Sequence, residues 1–119
     1  MKPFVLEYPL YRHSLLVCFG STDAEVYAYF ADRKYALTDA ERKALLINGT
    51  GRTTILLGGN TVLRTKNVPR RGSGVLAHEI FHAVELLMER IGMTLTEASD
   101  EAYAYLIQWL TDELGRKLK

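Results

Sequence analysis

Three residues in the segment GSGVLAHEIFHAVELLMERIG, residues 72–92, have the types and spacing that metal chemistry needs: His78, Glu79 and His82. They interrupt an apolar helical pattern of Val75, Leu76, Ile80, Phe81 and Val84. In a helix, residues four apart project from nearly the same face, about 6 Å apart along the axis. Two imidazoles placed this way can converge on one ion at Zn–N distances of about 2.0–2.1 Å. Glu79 is rotated away from the histidine pair and can reach a water beside the ion, where a general base belongs. The short H-E-x-x-H pattern also arises by chance on amphipathic helices, so the remaining ligands have to decide.

A protein zinc site takes at least one further ligand. The extended pattern H-E-x-x-H-x-x-G-x-x-H is excluded, because Glu85 and Met88 occupy its glycine and third-histidine positions. A carboxylate on the following helix is the other common solution, with Glu97, Asp100 and Glu101 as candidates. Counting equal rise on a returning helix that starts at Leu95 puts the level of His82 at about position 104. Glu101 lies about three residues from that level, whereas Glu97 is about 10 Å away. Asp100 is nearly as close along the axis but points about 100° around it, on a shorter side chain. Glu101 is therefore the expected third ligand.

The elements that position these residues follow from local signals. YRHSLLVCF, residues 11–19, reads as a strand ending at Gly20. Ser21 or Thr22 can cap a helix to about Arg33, and Thr38-Asp39-Ala40-Glu41 forms a capping box for a short helix to about Leu45. Asn48-Gly49-Thr50-Gly51 is a turn, followed by RTTILLG as a strand; Gly58-Gly59-Asn60 turns the chain into TVLRTKNV, a short strand closed by Pro69. Ser73 caps the metal helix, from about Gly74 to Ile91, and Gly92 ends it. Thr94-Leu95-Thr96-Glu97 reads as a second capping box, opening a helix to about Leu114. With only Gly92 and Met93 between them, the last two helices should form an antiparallel hairpin. The expectation is an α+β fold: a small, mostly antiparallel sheet, one or two N-terminal helices, and a C-terminal helical hairpin carrying the site.

HEIFHAVELL followed by SDEAYAYLIQWL resembles the minimal gluzincin-type metallopeptidases, with a zincin-like fold, in the style of SprT-like and other compact H-E-x-x-H domains. The pairing is also similar to small zincin-like proteins of phages and prophages. The resemblance is specific over about residues 72–110 and only architectural upstream. It implies zinc-dependent peptide hydrolysis, with His78, His82 and Glu101 as zinc ligands and Glu79 as the base for a zinc-activated water. An oxyanion donor is also expected, with Tyr105 and Tyr103 as candidates that core packing could equally claim. A peptide or protein substrate could add as a strand to RTTILLG or TVLRT. The alternative is a non-catalytic zinc-binding interaction domain of a phage or mobile element; a metal-free helical adaptor is the third reading.

The rest of the composition sets bounds. A chain of 119 residues, 48% hydrophobic and 24% charged, reads as one globular domain. TILL and SLLV are far too short to span a membrane. MKPFVLEYPLYRH lacks the apolar core of a secretory signal, and the lone Cys18 cannot pair within the chain, so a cytoplasmic setting is expected. Net charge is +1, yet residues 1–74 hold 11 basic and 6 acidic side chains, against 4 and 8 in residues 75–119. The acidic excess thus accompanies the histidine pair, as a cation site or two solvated helix faces would require. Arg64, Lys66, Arg70 and Arg71 cluster before the metal helix, but without interleaved aromatics they read as a solvated loop, and nucleic acid is not an expected partner. Glu85 and Glu89 extend the helix stripe beyond His82, where Glu85 could orient a metal ligand but reads better as part of a solvated face; His13 could be a further ligand but reads better as a strand-end histidine with no such role. Cys18, Leu106, Trp109 and Leu110 read as core.

Overall fold

The run Leu15-Leu16-Val17-Cys18-Phe19 is apolar at every position, and such a strand needs cover on both faces. The computed structural model, which describes residues 1–118, places it in β2 (Ser14–Phe19), inside a four-stranded sheet. The other strands are β1 (Phe4–Glu7), β3 (Gly51–Ile55) and β4 (Thr61–Thr65), in the order β1-β2-β4-β3. β1 pairs antiparallel with β2, and β3 antiparallel with β4. The central pair, β2 and β4, is parallel, with Leu15 opposite Thr61 and Phe19 opposite Thr65.

Helices cover both faces. α1 (Asp23–Asp32) and α2 (Asp39–Leu45) lie on one, where Val26, Phe30 and Leu45 pack on Leu16, Cys18, Leu56 and Val62. α3 (Gly74–Arg90) and α4 (Asp100–Arg116) lie on the other, where Leu76, Ile80, Ala83 and Val84 join Tyr103, Leu106 and Leu110 over Leu15, Val17, Phe19 and Leu63. Among the described residues, no helix is long and apolar enough to cross a membrane.

The fold is α+β, as expected, and the small sheet is mixed, with two antiparallel pairings flanking a parallel one. Its parallel centre arises because the chain leaves β2, makes α1, α2 and edge strand β3, and returns through β4. FVLE supplies a strand that the sequence reading did not contain. The expected capping box forms on Thr38 with Glu41, and of the two candidate caps for α1 it is Thr22 that serves, in a further box with Glu25. Gly92, at φ +82°, ends α3: its N–H donates to the Glu89 carbonyl, and that of Met93 reaches back to Met88. This is the Schellman arrangement.

The capping box expected at Thr94–Glu97 does not form, and α4 begins at Asp100 rather than Leu95. Ser99 is the reason. Its hydroxyl accepts from the Thr96 N–H at 2.9 Å and donates to the Thr94 carbonyl, while its own N–H donates to Thr96. These local bonds offer the backbone an alternative to the helix ladder. The helical hairpin is antiparallel as expected, but residues 91–99 join it instead of a two-residue link.

Glu41 is buried at 4% exposure and ties three segments together. Its carboxylate accepts from the Thr38 N–H at 3.0 Å, the Tyr35 hydroxyl at 2.7 Å and the Leu57 N–H at 3.2 Å. The Thr38 N–H and then the Tyr35 hydroxyl hold its pKa below the usual value. A carboxylate depressed in the folded state adds stability above its unfolded pKa and loses it as pH falls through the folded one. Glu41→Gln is therefore less stable than the parent at neutral pH, and the gap should narrow in acid denaturation series below the ordinary carboxylate range. Leu110→Ala, which empties a fully buried position, should cost about 2–5 kcal/mol in urea unfolding.

Candidate metal and acid–base site

The helical phase of α3 sorts its polar trio. At about 100° per residue, Leu76, Ile80, Ala83 and Leu87 point to the sheet and α4. His78 and His82 turn outward, and Glu79 falls between them and the core. His78 keeps 67% of its side chain exposed, whereas Glu79 is buried at 3%. The two imidazoles converge: His78 Nε2 and His82 Nε2 are 3.1 Å apart, with the rings nearly edge-to-face. An ion bonded to both at about 2.05 Å would see them at roughly 100°, near the tetrahedral angle. Donor chemistry and spacing of this pair fit two of the ligand positions of a zinc ion.

Strand β3 completes the surroundings of Glu79. The Thr53 hydroxyl donates to Glu79 Oε1 at 2.8 Å and lies 3.3 Å from the Glu79 main-chain carbonyl. Gly51, two residues earlier and on the same strand face, lies against the other oxygen. A Cβ there would stand 3.1 Å from Oε2 and 2.9 Å from the Arg64 carbonyl. Oε2 is left 4.0 Å from His78 Nε2. A cleft of about 680 Å³ opens here, lined by Asn48, Gly49, Thr50 and Gly51 on one side and Gly74, Val75, His78 and Glu79 on the other. Neither Thr53 nor the Asn48–Gly51 turn stood out in the sequence as part of a site. Their contribution depends on β3 meeting α3 across 26 residues of chain, which no local pattern reports.

Glu101 is not brought to the histidine pair. Thr111 and Gly115 line one groove with Ala77 and Ile80, so the level of His82 on α4 is about position 109 and Glu101 lies roughly 12 Å further along the axis. The longer connection shifts the count made from Leu95. α4 also packs along the Ala77 side of α3, while the histidines face the β3 side. Glu101, Tyr105, Gln108 and Asp112 form an exposed outer stripe of α4. Tyr103 is instead buried, its hydroxyl donating to the Met93 carbonyl at 3.2 Å. Among the described residues, no three His, Cys, Asp or Glu side chains gather in a metal-binding group.

The other candidates separate as well. His13 precedes β2 and so sits at the opposite end of the sheet from Gly51, which pairs with Thr65 beside Phe19. Glu85 and Glu89 are exposed on the outer face of α3. Of the two proposed edges, RTTI is a true edge strand, while TVLRT is interior and fully paired. The basic cluster divides too. Arg64 is buried, donating to Asp23 at 2.8 Å and to the carbonyls of Leu45 and Ser21. Arg71 donates to the carbonyls of Gly115 and Leu118 at the end of α4.

No known protein family matches the chain, and comparison with curated proteins and with solved structures returned no match.

Cys18 is fully buried, and burial pushes its thiol up to about 12. A thiol that stays protonated and inaccessible is a poor nucleophile. Ellman's reagent at pH 8 should leave the folded chain unmodified and titrate one thiol after unfolding.

Proposed function

We propose that this chain is a zinc-dependent metallopeptidase in which His78 and His82 hold the ion and Glu79 is the general base. The observation that carries the reading is a buried carboxylate whose only side-chain hydrogen-bond donor among the described residues is the neutral Thr53 hydroxyl, beside two imidazole nitrogens converging at 3.1 Å. Burying a carboxylate without a cation costs several kcal/mol. A divalent ion on the histidine pair supplies that charge and gives their convergence a purpose. Bound zinc contributes Lewis acidity toward a substrate carbonyl and acidifies a water. Glu79 Oε2, the oxygen that Thr53 leaves free, faces His78 and is the group to take the proton of the attacking water and return it to the leaving amine. The unpaired edge of β3 offers backbone donors and acceptors to an extended peptide beside the cleft.

Glu101 and Tyr105 enter the proposal as third ligand and oxyanion donor. Both belong to the outer stripe of α4, so either role requires the start of α4 to move toward the cleft. The zincin relationship and a reducing, cytoplasmic setting are parts of the same proposal.

Elemental analysis of untagged protein should find about one zinc per chain, with much less in His78→Ala and His82→Ala. Glu79→Gln should keep the zinc and lose roughly 10²–10⁴-fold in cleavage of dye-quenched casein. A metal-free parent after zinc is supplied and excess removed would sink the reading. Zinc binding with turnover indifferent to Glu79 would leave a zinc-stapled interaction domain. Loss of zinc in Glu101→Ala would establish the third ligand; full retention would remove Glu101 from the set.

A further inference from the structure

Glu79 differs from the histidines in being fixed from outside its own helix. Its two oxygens meet alternate residues of one strand, and alternate residues of a strand share a face. Thr53 presents a hydroxyl to Oε1 at 2.8 Å, and Gly51 presents empty space to Oε2. The Thr53 hydroxyl has a single proton. It goes to the nearer carboxylate oxygen, while the 3.3 Å contact with the Glu79 carbonyl keeps donor and base in one frame. Threonine is β-branched and stiff at χ1, which suits a donor that has to hold a direction. Gly51 has no comparable freedom to change, because its closest neighbour across the sheet is the Arg64 backbone carbonyl.

We propose that Thr53 and Gly51 are positioning residues for Glu79, so that edge strand β3, rather than α3 alone, aims the base at the histidine pair. This rests on the metallopeptidase reading. It assigns no contact with substrate to either residue; both act through the Glu79 carboxylate.

The test compares the parent with Thr53→Val, Thr53→Ser, Gly51→Ala and Glu79→Gln. Zinc per chain, the thermal transition, and kcat and KM on a fluorogenic casein-derived peptide are read for each. Thr53→Val keeps the branched shape and removes the donor. It should lower kcat about 10–100-fold with KM and zinc content held near parental values, and Thr53→Ser should restore most of the loss. Gly51→Ala should lower kcat with zinc retained, together with a lower melting temperature. Parental kcat in Thr53→Val, or equal losses in Thr53→Val and Thr53→Ser, overturns the role of Thr53 while Glu79-dependent turnover stands. Parental kcat in Gly51→Ala does the same for Gly51. A parent that shows no Glu79-dependent turnover overturns the metallopeptidase reading, and this inference with it.

Discussion

β2 is apolar on both faces and its neighbour β4 is buried along its whole length, and nearly every other placement in the fold follows from keeping water off them. Leu15, Val17 and Phe19 face one way and Leu16 and Cys18 the other, all buried. Each buried Leu, Val or Phe side chain contributes about 1.5–3 kcal/mol, so leaving either face open would forfeit a large share of the stability. Two helical layers are therefore needed, and a chain this short supplies them by sending α1, α2 and β3 between the two strands and α3 and α4 after them. β3 becomes an edge through the same route. Its inward face lands on α3, which is how Gly51 and Thr53 come to lie against Glu79.

Polar side chains at the ends of the sheet hold this arrangement in register. Arg64 is on a central strand, where a charge is costly unless paired. Its guanidinium answers that cost with Asp23 at the start of α1 and with the Ser21 and Leu45 carbonyls. One cation thus joins the sheet to both helices of its layer. Glu41 does the same for the β3–β4 turn through Leu57 and Tyr35. Arg71 meets the Gly115 and Leu118 carbonyls at the C-terminal end of α4, a place that favours positive charge. The residues that look like a basic surface in sequence are in part internal fasteners.

At the site, the division of labour follows from solvent exposure. The histidines are outward and open to a ligand, while the carboxylate between them and the core is enclosed. Enclosure restricts the carboxylate to one geometry and raises the cost of its charge. On the proposed reading, a cation on the histidine pair would offset that cost, so the burial of Glu79 supports the proposal beyond the H-E-x-x-H pattern alone.

Several features were legible in the residues themselves. The helix carrying His78, Glu79 and His82, its Ser73 cap and Gly92 stop, the cap at Ser21 or Thr22 and the box at Thr38 are all read from spacings within a few residues, where local hydrogen bonding decides the outcome. The apolar run of β2 likewise reads as a strand. The pairing of β2 with β4 in parallel, the choice of β3 rather than β4 as the edge, and the strand FVLE at the N-terminus were not legible, because register across a sheet depends on partners distant in the chain. The hairpin count failed for a smaller reason: the Ser99 hydroxyl outcompetes the first turn of α4 and moves every later residue along the helix axis. That shift, with the packing of α4 on the Ala77 side, decides where Glu101 and Tyr105 stand. The sequence by itself determined the chemistry that α3 can offer. Only tertiary packing decided that Glu79 would be enclosed and met by β3, because enclosure requires a second element, and only the covered sheet determines which one arrives.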